Sequence, residues 1–289
     1  MEFRKITLED KVIFDEYYKK YPQYSGFLSF VNLYTWEHIV NFRYALILGH
    51  IVIKFDSYKN NKEYYLLPET DETATKTVMD KLFSSGEVRI SNLTKNQVDI
   101  IEKLYPEKFS FSHKRSSDNY YYNVLDMATL SGKKLHSKRN FVNRFKKENN
   151  YKYEKIDEKT KEECIKLLDL WCEKKESEDA GLKAESYACK IALENMDALN
   201  LKGGALRVDS KIVAFSLGEE FNTESFIIHF EKGDTQYKGV FQTMFMEFVK
   251  NECMHLNLIN REEDMGSEGL RKAKLSYKPC FLLKMYGTD

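Results

Sequence analysis

GALRVDSKIVAFSLGEEFNTESFIIHFE, residues 204–231, is the stretch that decides the fold. Gly204–Val208 and Ile212–Glu219 are β-branched runs separated only by Asp209-Ser210-Lys211, a polar tight turn. The Asn222-Thr223 turn then leads into Glu224–Glu231, so three strands follow one another closely. Upstream, Tyr151–Ile156 (YKYEKI) alternates apolar and polar residues, which predicts another strand. Between them, Cys164, Leu167, Leu168 and Trp171 recur at helical spacing and predict a helix from about Lys159 to Lys175. A second helix is expected from Ser186, a candidate N-cap, to about Leu199. Downstream, Phe241, Met244, Phe245, Phe248 and Val249 line one face of a helix over Val240–Met254. A strand at His255–Ile259, a helix from Ser267 to about Leu275 and a last strand at Phe281–Tyr286 complete the order β-α-α-β-β-β-α-β-α-β.

That order resembles the GNAT acyltransferase fold, and the first half of the chain runs through a similar series. A strand at Glu2–Ile6 precedes a helix capped by Thr7, with Val12, Ile13, Tyr17 and Tyr21 inward, and a helical stretch over Phe27–His38. Strands are expected at Phe42–Leu48, Ile51–Phe55 and Tyr64–Leu67, with Gly49-His50 turning the first pair. A helix over Thr73–Phe83 and a strand at Val88–Ile90 follow. Thr94-Lys-Asn-Gln97 reads as a capping box opening a helix to Tyr105, and Phe109–Phe111 and Tyr120–Val124 are extended. The expected fold class is therefore mixed α+β: two tandem GNAT-like domains, 1–128 and 129–289, each a mostly antiparallel sheet flanked by helices. The second is expected to carry the active site.

Composition narrows the function. Hydrophobic residues at 42% and charged residues at 31% fit a globular chain rather than a disordered one. Lys+Arg and Asp+Glu are equal at 45 each, which argues against a dedicated nucleic-acid coat and leaves room for a local basic patch. MEFRKITLEDK is too charged for a signal peptide, and no apolar run approaches the ~20 residues that span a bilayer. A cytoplasmic protein, touching membranes only from their surface, is expected. The five cysteines are scattered without a CxxC pair or metal spacing, so reduced core thiols and no metal are expected.

Three segments carry candidate chemistry. Residues 131–147, SGKKLHSKRNFVNRFKK, hold seven Lys/Arg and no acid. Phe141, Val142 and Phe145 form a narrow apolar stripe that leaves Lys138, Arg139, Arg144 and Lys146 exposed, either to bind phosphate oxygens or simply as a solvated face. Residues 229–242, HFEKGDTQYKGVFQ, join the third strand to the next helix, where strands splay in GNAT folds and backbone amides meet a phosphorylated donor. Gln236-x-x-Gly239 matches half of the GNAT pyrophosphate loop, but Phe241 replaces its final small residue. His229 is expected to share a strand face with Glu231 as an acid/base accessory. Residues 260–279, NREEDMGSEGLRKAKLSYKP, deliver an acidic cluster and then Arg271, Lys274 and Lys278 on nearly one helix face. Such groups deprotonate an acceptor and stabilise an oxyanion, or else form a salt-bridge network. No GxSxG or HExxH motif supports a hydrolase reading.

With FVNLYTW (30–36), these segments resemble a bacterial family related to the C-terminal domain of phosphatidylglycerol lysyltransferase, similar in turn to Fem-type aminoacyltransferases. The resemblance implies a tandem GNAT fold, aminoacyl-tRNA as donor, and a lipid-headgroup hydroxyl, peptide amine or other small acceptor. Carried over by residue, Lys138 and Arg139 match the family's basic helix, with Arg144 beside them. Glu231 and Lys232 match its EK pair, and Gln242 closes the same segment. Asn260, Arg261, Glu262 and Asp264 match its NRE-D signature; Arg271, Lys274 and Tyr277 match its terminal basic segment. The roles that follow are a base at Glu231 or Asp264, oxyanion stabilisation by Lys274 or Arg271, and phosphate or substrate binding by the rest. Two alternatives stand beside this: an acetyl-CoA- or acyl-CoA-dependent N-acyltransferase using Gln236 and Gly239, and a GNAT-like binding or regulatory protein.

Overall fold

The structure is a computed structural model that describes residues 2–57, 62–174 and 180–288. In chain order the first elements are β1 (Arg4–Lys5), α1 (Lys11–Lys20), α2 (Phe30–Thr35), α3 (Glu37–Val40), β2 (Arg43–Ile47), β3 (His50–Asp56) and β4 (Glu63–Leu66). There follow α4 (Glu72–Phe83), α5 (Lys95–Leu104), β5 (Phe111–His113), β6 (Asn119–Asn123), α6 (Val124–Thr129), α7 (His136–Glu148) and β7 (Tyr151–Lys155). The remainder are α8 (Glu158–Lys174), α9 (Ala180–Glu194), β8 (Lys202–Val208), β9 (Lys211–Glu220), β10 (Ser225–Gly233), α10 (Val240–Glu252), β11 (Leu258–Asn260), α11 (Glu268–Leu275), β12 (Phe281–Leu283) and β13 (Tyr286–Thr288). Two compact units result: Met1–Asn119 with Glu263–Glu268 and Leu282–Asp289, and Tyr120–Glu262 with Gly269–Phe281.

In the first unit β1-β2-β3-β4 form an antiparallel sheet. Leu48 and Gly49, both at positive φ, turn β2 into β3, one residue earlier than expected. Thr94 and Gln97 form the expected capping box, Gln97 Oε1 accepting from the Thr94 amide at 3.0 Å. Two expectations fail here. A single 3-10 turn, Leu8–Asp10, separates the Thr7 cap from α1. The turn changes the helical phase: Phe14 and Tyr17 face the core while Val12 is 59% exposed. Val88–Ile90 forms no strand; Ile90 makes one isolated bridge to Tyr65.

The second unit is built on a seven-stranded sheet, β12-β6-β11-β10-β9-β8-β7. The hairpins read from residues 204–231 are present, with Asp209 at φ +52 in the first turn. Helices cover both faces of its centre, so β9 is buried from Ile212 to Glu219 and shows no apolar–polar alternation. α9 begins at Ala180, not Ser186, because 180–185 (AGLKAE) consists largely of good helix formers that extend the helix N-terminally. Lys175, the expected end of the preceding helix, lies outside the described residues, as does the side chain of Trp171. The strand expected over Phe281–Tyr286 is two, broken at Lys284-Met285, and β13 pairs with β5. α6, capped by Asn123, was not expected; six residues are too few to show a period.

Candidate functional site

β10 and β11 are a parallel pair for only three residues, Ser225↔Leu258, Phe226↔Ile259 and Ile227↔Asn260. Beyond that point β10 carries a bulge, its register against β9 slipping between Ile228 and Phe230. β11 ends at Asn260, and Glu262 adopts φ +56, a left-handed conformation sterically awkward for a side-chain-bearing residue. The Asn260 side chain steadies that turn by accepting from the Glu262 amide at 2.7 Å. A bulge bends its strand, so two parallel strands diverge at their carboxyl ends, the place where open α/β sheets form ligand crevices.

Charged side chains face each other across this split. Arg261 donates to Glu231. Its guanidinium lies 4.0 Å from the Phe245 ring centroid and 5.1 Å from that of Tyr277, where a delocalised cation is well placed against π faces. Its Nε is buried and has no hydrogen-bond partner among the described residues. Burial disfavours the charge, but Glu231 and the neighbouring tyrosines outweigh it and hold the guanidinium firmly protonated. Lys138, from α7, sits 4.3 Å over the other ring, Tyr277. Burial, with the Arg261 charge adding to it, pushes its ammonium below the usual lysine range. Lys274, from α11, donates to the Arg261 carbonyl. The Tyr122 hydroxyl donates to the Lys274 carbonyl at 2.9 Å. Burial also pushes the Tyr122 and Tyr277 hydroxyls up, with Arg261 opposing, so both stay neutral donors. Two cations, Arg261 and Lys138, and one carboxylate thus meet on an aromatic floor, with Lys274 held at the Arg261 carbonyl. Such a group favours an anionic ligand.

His229 occupies the bulge. Its side chain is fully buried, Nδ1 2.8 Å from Glu262 Oε1 and Nε2 3.2 Å from Glu219 Oε1. Ionised carboxylates only accept, so both ring nitrogens must donate and the ring is an imidazolium. Burial alone would lower its pKa; the two carboxylates more than reverse this and raise it to about 9. His229 therefore pairs with Glu219 and Glu262 rather than standing beside Glu231, because the bulge interrupts the two-residue alternation on which the shared-face expectation rested.

The three candidate segments meet in the second unit through Lys138, Glu231, Arg261, Lys274 and Tyr277. Other candidates are placed differently. Arg139 donates to the Leu130 and Gly132 carbonyls, closing α6. Arg144 pairs with Glu148 on exposed helix surface. Lys146 reaches Glu247. Lys138 itself is half-buried rather than exposed. Lys232 is buried and paired with Glu185 of α9. Gln242 is partly exposed on α10, and Arg271 partly exposed on α11. Asp264 lies in the first unit, fully buried, accepting from Arg115 at 3.1 Å and from the Gly266 amide at 2.9 Å. Replacing Arg115 by Met is expected to lower unfolding free energy by about 3 kcal/mol, because a buried carboxylate loses its countercharge; urea titration measures this.

The Gln236–Gly239 loop is folded upon itself. The Gln236 amide donates to Asp234 Oδ1, that of Tyr237 to the Asp234 carbonyl and that of Val240 to the Tyr237 carbonyl, each at 3.1 Å. Gly239, at φ +91, lies against α7; a Cβ there would fall 2.3 Å from the Phe141 carbonyl oxygen. Gly239→Ala is expected to destabilise by about 2 kcal/mol, read as a lowered melting temperature.

Sequence reading missed Tyr122, Glu219 and Ser216, the last directly across the β9–β10 pair from Glu231. Tyr122 sits in the tyrosine run of β6, and nothing local marks its insertion beside β11. Glu219 is an acid inside a buried strand, a signal that was present.

Among the described residues no helix is long and apolar enough to cross a membrane. The chain is similar in structure to a conserved protein of unknown function from Bacteroides thetaiotaomicron, 34% identical, covering 99% of this chain and 98% of that one with a TM-score of 0.90. It shares its fold with L-PGS from Bacillus licheniformis, 13% identical, covering 95% and 90% with a TM-score of 0.65. It also shares its fold with FemX, 9% identical, covering 99% and 97% with a TM-score of 0.57. The fold is thus the expected mixed, mostly antiparallel one. The family described as phosphatidylglycerol lysyltransferase, C-terminal, matches residues 18–287, and the chain belongs to that family.

Proposed function

We propose that this protein is an aminoacyltransferase whose active site is the split between β10 and β11. Donor and acceptor are taken as aminoacyl-tRNA and a lipid-headgroup hydroxyl, peptide amine or other small nucleophile. The reading takes the chain as two tandem GNAT-like domains with chemistry in the C-terminal one. The observation that carries it is the meeting of Lys138, Glu231, Arg261 and Tyr277 beside an aromatic floor. Glu231 removes the proton from the acceptor O–H or N–H, and the freed pair attacks the donor ester carbonyl. Arg261, with Lys138 or Lys274, stabilises the tetrahedral oxyanion and holds a phosphate of donor or acceptor. The intermediate collapses by breaking the C–O bond to the ribose, and Glu231 returns its proton to that leaving oxygen. Glu231 is favoured over Asp264, whose carboxylate is held by Arg115 and the Gly266 amide.

Family membership supports aminoacyl transfer. The internal bonds of the Gln236–Gly239 loop weigh against CoA as donor, since a pyrophosphate needs those amides. The protein, incubated with tRNAs charged with labelled amino acids and with labelled acyl-CoAs, is expected to move label from a tRNA to lipid or amine acceptors. Transfer from acyl-CoA alone, or from neither, overturns the proposal.

A further inference from the structure

Among the described residues, two buried polar atoms beside Glu231 lack hydrogen-bond partners: Arg261 Nε, just past the end of β11, and Ser216 Oγ, across from Glu231 on β9. Ser216 is fully buried. Glu231 thus has one unmet donor across from it on β9 and another just past the end of β11. Orphan groups of this kind are rare in native interiors and call for a reason.

One exchange gives both a use. Arg261 presently gives Glu231 one Nη, yet a guanidinium grips a phosphate best through two parallel N–H bonds. A phosphate taking Nε and Nη together, drawn also by Lys138, must displace the carboxylate. The displaced carboxylate needs a donor, and directly opposed residues on paired strands have Cβ atoms about 5 Å apart, within reach of a glutamate rotamer change. We propose that Ser216 is a positioning residue, the second hydrogen-bonding station of the Glu231 carboxylate, taken up when a phosphate group of the substrate occupies Arg261. This rests on the transferase reading of the site and deepens it: substrate arrival releases the base from its salt bridge. No proton moves in the exchange; Glu231 stays ionised, Ser216 donates, and the phosphate takes over the guanidinium.

The test is a double-mutant cycle on affinity for inorganic phosphate, by calorimetry on the full chain. Dihexanoyl phosphatidylglycerol below its micellar concentration forms a second arm, showing whether a lipid headgroup supplies the phosphate. Ser216→Ala is expected to weaken phosphate binding about tenfold, the loss of one charge-assisted hydrogen bond. Ser216→Thr keeps the hydroxyl and restores affinity. In a Glu231→Ala background, or Glu231→Gln should the first fail to fold, Ser216→Ala is expected to change affinity less than about twofold. The proposal is overturned by equal effects in both backgrounds, by no effect in the wild type, or by an absence of saturable phosphate binding to the wild type. Transfer is measured separately. Transfer without a Ser216 effect removes this inference alone, whereas the expected cycle without transfer removes the reaction and keeps the exchange.

Discussion

Glu231→Gln is expected to lower aminoacyl transfer by two to four orders of magnitude, the usual contribution of a positioned general base, while the protein still folds. The substitution keeps the shape and a carbonyl oxygen for Arg261 but removes the proton acceptor. A structural role gives a different pattern: lowered melting temperature with activity falling only as the folded fraction falls. The control is Lys138→Met, which keeps packing against Tyr277 and removes one of the two cations over that ring. It is expected to raise KM for the phosphate-bearing substrate more than it lowers kcat. Equal activity of Glu231→Gln and wild type at matched stability assigns the base elsewhere.

The second large effect concerns stability. The folded pKa of His229, about 9, lies above the ordinary 6.5. Its stabilising contribution is therefore complete below pH 6.5 and is lost as the pH climbs through 9. The loss approaches roughly 3 kcal/mol across that window. Urea titrations at pH 6 and pH 9.5 measure it. The buried thiols Cys164, Cys189 and Cys253 are also held protonated by burial, so they too weaken the fold as pH rises above the ordinary thiol range. Subtracting the same titrations on His229→Gln isolates the imidazole. A pH slope unchanged in that variant shows that the ring is not the charged link between Glu219 and Glu262.

Where the fold was legible, local chemistry and tertiary outcome agree. The Thr94 capping box is decided within a few residues of chain and is found where residues alone place it. The Asp209-Ser210 turn is one residue shorter than read, Lys211 already pairing with Val208. α10 buries Met244, Phe245, Phe248 and Val249 but leaves Phe241 partly exposed. Failures occur where a shift of helical phase or a distant contact overrides the local pattern. Val12 reads as core but is turned outward by the 3-10 turn before its helix. Arg139 and Lys138 are adjacent cations, yet one closes a helix and the other lies over Tyr277. NRE-D was recognised as a unit, but Arg261, Glu262 and Asp264 go to three partners, Glu231, His229 and Arg115. No spacing rule distributes neighbours in this way; the bulge and the left-handed turn do. Ser216 was invisible because a lone serine in an apolar strand carries no signal until its cross-strand neighbour is known.

The strand β6 lies between β12 and β11 in the seven-stranded sheet, although it precedes the other six in sequence. The backbone also passes between the two units four times, at 119/120, 262/263, 268/269 and 281/282. No single cut yields two whole halves. A gene split at residue 129 would leave the edge of β11 bare on one polypeptide and strand its natural partner on the other. The arrangement makes this scaffold resistant to modular shuffling, because the seven-stranded sheet draws strands from both sides of such a cut.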